Sequence, residues 1–198
     1  MGIWRMEEPE AFFMQALDLQ LVEQEELTKL KGRRRLEWLA SRYLVHEMLL
    51  SSGYEDRVPV LKDEFGKPHI WGTPFHLSFS HSHELVAVIL ANAPTGIDIQ
   101  RIVPKIEVLA HKFLSAEELG SLKPETRLEH LHFYWGAKEA LYKAHGRRQL
   151  DFREHIFIQP FGYQPIGKTA GKIDKDERQW AFDVFFEKME DYVLVWCL

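Results

Sequence analysis

The pentapeptide GIDIQ at residues 96–100 places one acidic residue inside an otherwise apolar run. If this run is a strand, alternation puts its two isoleucines on one face and Asp98 and Gln100 on the other. Two oxygen-bearing side chains then project together from a rigid element, and Gly96 lets another backbone or a phosphate approach closely. One interpretation is an edge strand with a solvated polar face, and the other is a site that uses both side chains.

A second segment, FYWGAKEALYK at residues 133–143, adds charged groups to an aromatic stretch. On a helix, Glu139 and Lys143 share a face because they are four residues apart. They can form an ordinary surface pair, which contributes only a few tenths of a kcal/mol. Trp135 and Tyr142 would, however, shield these charges from water, and a shielded carboxylate is useful chiefly where a cation meets it.

The segments on either side of these two form an ordered series of helices and strands. Apolar recurrence at the helical period predicts a helix over residues 23–50, and a turn-rich piece and two strands follow. The first strand alternates over residues 75–79 and the second, ELVAVILA at residues 84–91, is of the fully buried kind, with SHSH as a tight connection between them. A helix over residues 129–144, ended by Gly146, is followed by the strands HIFIQP, WAFDVFFEK and YVLVWCL.

This order predicts an α+β protein of two pseudo-symmetric halves, because each half runs helix first and paired strands afterwards. We expect the halves to be residues 1–94 and residues 95–198, each with a long helix packed on a small antiparallel sheet. The active site is expected in the cleft between them. No residue-level repeat accompanies the duplication, which rests on the order of elements alone.

Composition excludes several classes of protein. A net charge of −5 argues against a protein that coats nucleic acid through a global positive field. A single cysteine, Cys197, rules out a disulfide framework and a cysteine-rich zinc site. The start MGIWRMEEPEAFF lacks the pattern of a secretory signal, and no apolar run reaches membrane-spanning length. We therefore expect a cytoplasmic protein with neither nucleic acid nor membrane as a partner.

A zinc site at His81 and His83 is a further alternative, because alternate residues of a strand share a face. Third and fourth ligands are not evident nearby in the sequence. A histidine pair in a turn is more often solvated, so zinc is the less favoured interpretation.

The two opening segments resemble the signature of the 4′-phosphopantetheinyl transferases, in which G-[IV]-D-[IV]-E precedes W-x-x-K-E-[AS]-x-x-K. The second motif falls on Trp135, Lys138, Glu139, Ala140 and Lys143. Upstream, FSHS at residues 79–82 resembles the Ser-His element of the family, and FGKP at residues 65–68 resembles its Gly-Lys-Pro element. The segment LEWLASRYLVHEML is similar to the N-terminal helix of the longer, pseudo-dimeric branch, which activates surfactin synthetase.

The resemblance implies a reaction and its participants. The phosphopantetheine arm of coenzyme A would be moved to a serine of an apo acyl or peptidyl carrier protein, with release of 3′,5′-ADP and with Mg²⁺ as the cofactor. A monomer is expected, since one chain supplies both halves. The alternative is a non-catalytic module of the same fold that binds coenzyme A or a carrier protein.

The resemblance also implies roles for the residues of the two motifs. Asp98 and Glu139 would be the protein ligands of Mg²⁺, with Gln100 offering a neutral oxygen or holding a water. Glu139 would also be the base for the carrier serine, directly or through a water, and Lys143 would meet the pyrophosphate and assist departure of the ADP. The family usually has Glu at the position of Gln100, a difference that Mg²⁺ tolerates because it often needs only one or two carboxylates beside substrate phosphates.

Coenzyme A is expected to meet a set of basic and hydroxyl side chains through its phosphates. Ser80 and His81 carry over from the Ser-His element, Lys67 from the Gly-Lys-Pro element, and two arginines of the N-terminal helix add further phosphate contacts. The complete set is Arg35, Arg42, Lys67, Ser80, His81 and Lys143.

Overall fold

The structure, a computed structural model, describes residues 1–147 and 149–198. The described residues form two five-stranded antiparallel sheets, each accompanied by a helix of 19 residues. The α+β class predicted from the sequence is therefore confirmed. No helix in the described part of the chain is long and apolar enough to cross a membrane.

The first sheet is built from the N-terminal strands and has the order β1-β5-β4-β3-β2. Its strands are β1 (Gly2–Arg5), β2 (Val60–Lys62), β3 (Pro68–Ile70), β4 (His76–Ser82) and β5 (Leu85–Ala91). Three helices lie between β1 and β2, namely α1 (Glu10–Ala16), α2 (Leu21–Thr28) and α3 (Arg33–Ser51). One hydrophobic cluster joins α3 to the sheet, with Leu39 and Leu49 of the helix beside Leu77 of β4 and Val88 of β5.

The second sheet is built from the C-terminal strands and has the order β6-β10-β9-β8-β7. Its strands are β6 (Gly96–Arg101), β7 (Ile156–Ile158), β8 (Ile166–Lys175), β9 (Arg178–Met189) and β10 (Tyr192–Cys197). Between β6 and β7 lie a 3₁₀ helix (Pro104–Leu109), α4 (Ala110–Phe113), α5 (Ala116–Gly120), a 3₁₀ turn (Pro124–Thr126) and α6 (Arg127–His145). Phe133 and Leu141 of α6 share a hydrophobic cluster with Val193 and Val195 of β10.

A third hydrophobic cluster lies where the two sheets meet. Ala87 and Ile89 of β5 are buried there together with Ile97 and Ile99 of β6. The isoleucine face of GIDIQ is thus directed into this cluster. The opposite face, with Asp98 and Gln100, is turned toward α6, as the alternation predicts.

Several elements differ from the sequence prediction. The helix expected over residues 23–50 is two helices, because Gly32 adopts a φ of 53° and interrupts the helical path before α3. Most of the expected SHSH connection belongs to strand β4, and the turn is confined to the residues after Ser82. Strands β1, β2, β3 and β8 were not predicted. The glycines and lysines of β8 weaken its strand signal, and pairing along all of its length with β9 overrides that preference.

Candidate active site

Strand β6 lies against α6 at a backbone contact that only glycine allows. A Cβ atom added to Gly96 would lie 1.8 Å from the carbonyl oxygen of Ala140. On the helix side, a Cβ added to Gly136 would lie 2.7 Å from the Val195 side chain of β10, the strand that pairs with β6. These close approaches bring the polar face of β6 to the helix face that carries Glu139 and Lys143.

Asp98 is held by donors from three different elements and is only 7% exposed. Its Oδ1 accepts hydrogen bonds from Ser80 Oγ at 2.9 Å and from Lys143 Nζ at 2.8 Å. Its Oδ2 accepts one from Gln100 Nε2 at 3.2 Å. A buried carboxylate needs such partners to remain ionised, and Lys143 supplies the compensating charge.

The serines of β4 fix the position of this carboxylate relative to the first sheet. Ser78 Oγ accepts the backbone N–H of Ile97 at 3.1 Å, and Ser82 Oγ accepts that of Arg101 at 3.1 Å. Ser80, between them, is the serine that donates to Asp98. This role of Ser78 and Ser82 was not predicted from the sequence, although their spacing at every second residue of a strand places them on one face.

Glu139 lies one turn before Lys143 on α6 and is half-buried. Burial, followed by the negative charge of Asp98, raises the pKa of Glu139 to about 6, against the opposing positive charge of Lys143. Within the described residues its carboxylate makes no hydrogen bond, so one acid of the pair is neutralised by Lys143 and the other is not. Such a carboxylate can take up a proton near neutral pH or meet a cation.

Gln100 joins Asp98 to His132 of α6. The His132 ring lies with Nδ1 2.9 Å from Gln100 Oε1, and its Nε2 accepts the backbone N–H of Val103 at 2.9 Å. Burial lowers the pKa of His132, which favours the neutral ring. Sequence reasoning did not single out His132, because a histidine in a helix carries no signal of a partner on a strand.

Lys138 is the one charged residue of the second motif that forms a buried ion pair in the core. Its Nζ is completely buried and contacts Glu118 Oε2 at 2.9 Å, Phe152 O at 2.9 Å and Ile156 O at 2.6 Å. Burial lowers the pKa of Lys138, and the carboxylate of Glu118 opposes that change. Lys138 therefore joins α6 to α5, to Phe152 and to the first residue of β7. Its neighbour Glu139 points to the site.

Four of the six residues expected to contact coenzyme A line two adjoining cavities that share Phe79, namely Arg42, Lys67, His81 and Lys143. The first cavity is lined by Lys67, Tyr142, Lys143 and Arg147 among others, and it lies beside the Asp98 ion pair. Lys67 Nζ donates to the carbonyl oxygen of Ala144 at 2.6 Å, at the C-terminus of α6. Lys67 thus reaches from the connection between β2 and β3 to the helix that carries Glu139.

The second cavity is rich in basic side chains, namely Arg34, Arg42, Lys62 and His81. The guanidinium of Arg42 is buried over the Trp38 ring, and burial lowers its pKa to about 10. Among the described residues, its Nε and Nη2 have no hydrogen-bond partner, although Glu26 Oε2 lies 3.7 Å from Nη2. Arg42 lines this cavity, and buried donors without a hydrogen-bond partner are suited to an anion.

The structure does not bring Arg35 to either cavity. Its Nε pairs with Glu10 Oε1 at 2.6 Å and its Nη1 donates to Leu27 O at 2.8 Å, so it joins α3 to α1 and α2. The two histidines of the zinc alternative have different neighbours. His81 Nδ1 lies 3.3 Å from Glu37 Oε2, whereas His83 contacts Ser82 and Tyr192.

The chemistry of the donor set fits a hard divalent cation. Asp98 and Glu139 are two carboxylates close enough for the charge of one to raise the pKa of the other, and a cation relieves that repulsion. In residues 1–147 and 149–198 no group of three or more His, Cys, Asp or Glu side chains is placed to hold a metal ion. Two neighbouring carboxylates fit an ion that takes its remaining ligands from substrate and water, as Mg²⁺ does.

The sequence is similar to proteins of a known family. Residues 94–197 match the sequence model described as the 4′-phosphopantetheinyl transferase superfamily. Among similar curated proteins, 4′-phosphopantetheinyl transferase psf-1 of Bacillus pumilus is 34% identical over 110 residues, which are 54% of this chain and 46% of that protein. A 4′-phosphopantetheinyl transferase of Bacillus subtilis is 31% identical over 88 residues, 42% of this chain and 39% of its own length.

A third relative, 4′-phosphopantetheinyl transferase gsp of Aneurinibacillus migulanus, is 30% identical over 114 residues, 56% of this chain and 46% of that protein. The chain therefore matches less than half the length of each of these curated relatives. The family predicted from the two motifs is confirmed by these matches.

Proposed function

Because the chain belongs to the 4′-phosphopantetheinyl transferase superfamily, we propose that it transfers the 4′-phosphopantetheine group of coenzyme A to a serine of an apo acyl or peptidyl carrier protein. The second product is 3′,5′-ADP. The observation that carries this proposal is the ion pair between Asp98 and Lys143 next to Glu139, whose pKa is raised. These groups supply a positive charge for a phosphate and a proton acceptor for a hydroxyl in one place.

Glu139 is the proposed general base. With a pKa of about 6 it is mostly ionised at neutral pH, and it is a stronger base than an exposed glutamate. The serine hydroxyl gives its proton to this carboxylate while the serine oxygen bonds to the phosphorus that bears the pantetheine. The bond from that phosphorus to the bridging oxygen breaks, and the electron pair leaves with 3′,5′-ADP.

Lys143 is proposed to stabilise the departing phosphate. Its Nζ already contacts Asp98 Oδ1 and the carbonyl oxygen of Ile97 at 2.8 and 2.9 Å, which fixes the ammonium group at the edge of the first cavity. A fixed positive charge needs no reorganisation when negative charge develops on the leaving oxygen.

Mg²⁺ is the proposed cofactor, and the predicted ligand set is Asp98, Gln100 and Glu139. When bound, the ion neutralises the diphosphate and stabilises charge on the leaving phosphate. Asp98 and Glu139 contribute carboxylate oxygens. The amide nitrogen of Gln100 is directed at Asp98. This favours a role in which Gln100 orients the ligand Asp98 and does not itself bind the metal.

Coenzyme A is proposed to lie across the two adjoining cavities, with the diphosphate near Lys143. The unpartnered donors of Arg42 support a phosphate contact in the second cavity, where His81 also lies. Lys67 would meet the coenzyme from the first cavity. Ser80 is proposed to act through Asp98, to which it donates, and Arg35 stays a prediction without support from its contacts.

We propose two pseudo-symmetric halves, residues 1–94 and residues 95–198, with the site in the cleft between them. The hydrogen bonds that link the β4 serines and Lys67 with the C-terminal elements support this arrangement. We also propose a monomer, because one chain supplies both halves. From the net charge and the sequence pattern we propose that it is cytoplasmic and binds neither nucleic acid nor membrane.

The function is tested by the mass of a carrier protein. The chain is incubated with coenzyme A, Mg²⁺ and a panel of apo acyl and peptidyl carrier proteins, and intact mass spectrometry follows each carrier. We expect one carrier at least to gain a single phosphopantetheine group. If calorimetry detects coenzyme A binding while every carrier keeps its mass, the chain is the non-catalytic binding module instead.

A further inference from the structure

We propose that His132 is a positioning residue, which acts through the side-chain amide of Gln100 to set the orientation of Asp98. Gln100 then meets Asp98 with its NH₂ group and keeps its oxygen for His132. The catalytic consequence of this inference rests on the proposed function. The geometry rests on hydrogen-bond directions alone.

The first step is the position of the proton on the His132 ring. The backbone N–H of Val103 donates to Nε2 at 2.9 Å, and the peptide plane fixes the direction of that N–H. A ring nitrogen that accepts a hydrogen bond carries no proton, so the proton of the neutral ring lies on Nδ1. The carbonyl oxygen of Val103, 3.1 Å from the same nitrogen, does not change this, because the N–H already occupies the lone pair.

The second step is the orientation of the Gln100 amide. Nδ1–H of His132 requires an acceptor, and Gln100 Oε1 lies 2.9 Å from it. Independently, Gln100 Nε2 lies 3.2 Å from both Asp98 Oδ2 and the backbone oxygen of His132. Neither of these oxygens has a hydrogen to give, so an amide turned the other way would place its oxygen against two acceptors.

Gly136 provides the space for this arrangement. A Cβ atom at this position would lie 3.3 Å from Gln100 Nε2 and would crowd the amide. The glycine leaves the helix backbone open, so the amide of Gln100 reaches the carbonyl oxygen of His132.

The third step is the effect on Asp98. Ser80 and Lys143 hold Oδ1, and Gln100 is the donor to Oδ2, so both oxygens are anchored and the plane of the carboxylate is fixed. Without the ring donor of His132, Gln100 Oε1 loses its partner and the amide is anchored only through its NH₂ group, so the donor to Asp98 is held less firmly. Removing a hydrogen-bond partner that orients a metal ligand commonly lowers metal affinity or activity about 10–100-fold.

The test compares two substitutions of His132 with a matched control. His132→Phe keeps the ring volume and removes the donor, whereas His132→Asn retains an N–H near the position of Nδ1. His130→Phe is the control, because His130 is fully buried on the same helix and neither of its ring nitrogens has a hydrogen-bond partner in the described residues. Thermal unfolding of each variant identifies any that fails to fold.

The first readout is nuclear magnetic resonance, which needs no transfer activity. Long-range ¹H–¹⁵N spectra of the wild type should show the Nδ1–H tautomer of His132. The side-chain NH₂ of Gln100 should exchange slowly with water in the wild type, in His132→Asn and in His130→Phe, and faster in His132→Phe. A wild-type Nε2–H tautomer, or a Gln100 amide that exchanges freely in the wild type, overturns the inference.

The second readout is carrier modification at saturating Mg²⁺. We expect kcat to fall about 10-fold in His132→Phe with KM for coenzyme A changed less than about twofold, and His132→Asn to recover most of the loss. A folded His132→Phe protein with wild-type kcat overturns the positioning role. If the wild type modifies no carrier, the proposed function fails by itself, and the resonance measurement still decides the orientation of the amide.

Discussion

Asp98, Glu139 and Lys143 set the chemistry of the site through an imbalance of charge. Two carboxylates share a partly buried space with one ammonium group, and that group is hydrogen-bonded to Asp98. Burial therefore disfavours the ionised form of Glu139 and raises its pKa to about 6. A site with this excess of negative charge is suited to a cation and to a proton.

This imbalance predicts a pH-dependent stability in the presence of EDTA. Folding raises the pKa of Glu139 from 4.5 to about 6, so the folded state holds this proton more tightly than the unfolded state does. Stability of the wild type should therefore fall as pH rises through that window, by about 1–2 kcal/mol from this group. Glu139→Gln should remove this contribution.

Urea unfolding of both proteins at about pH 4 and about pH 7.5 checks this prediction. The variant should be more stable than the wild type at the higher pH and equally stable at the lower one. A difference that is the same at both pH values would contradict the assignment of the raised pKa to Glu139.

At the scale of elements, the contact between β6 and α6 determines whether the charged groups meet. The strand alternation of GIDIQ directs Asp98 to the helix, and Gly96 removes the side chain that would hold the two backbones apart. The serines of β4 then fix β6 from its other side. The site is therefore assembled from three elements: β6 contacts α6 through the backbone at Gly96, and it is hydrogen-bonded to serine side chains of β4.

Gly96→Ala should consequently destabilise the fold by about 3 kcal/mol, at the upper end of overpacking effects. The added Cβ would lie 1.8 Å from the backbone oxygen of Ala140, and a backbone atom cannot move aside as a flexible side chain does. The control is Gly120→Ala, since a Cβ there meets nothing within 4 Å. Urea unfolding measures both, and a loss below about 1 kcal/mol for Gly96→Ala would contradict the close contact.

At the scale of the whole molecule, polar and apolar contacts join the two sheets around the site. Ile97 and Ile99 pack with β5, and Lys67 extends to the C-terminus of α6. Gly146, with a φ of 69°, ends that helix and leaves room for the Lys67 side chain.

The sequence was sufficient for those parts of the site that depend on local periodicity. The helix over residues 129–144 and the polar face of GIDIQ follow from spacing, and so does the shared face of Glu139 and Lys143. The partners of Ser80 and His132 depend on which strand lies beside which helix, and no local pattern encodes that. Arg35 was assigned to phosphate from its charge, but an ion pair with Glu10 uses that charge within the helical layer.

The central claim is that the carboxylate of Glu139 acts in phosphopantetheine transfer. The most direct test incubates the Glu139→Gln variant with an apo carrier protein and follows the mass of the carrier. The matched control is Glu129→Gln, an earlier position of α6 whose carboxylate lies 3.3 Å from Lys188 in a partly exposed pair. With coenzyme A and Mg²⁺, the wild type and the control should convert the carrier at similar rates, and Glu139→Gln should be slower by about 100-fold or more. Conversion by a folded Glu139→Gln protein at the wild-type rate would contradict the claim.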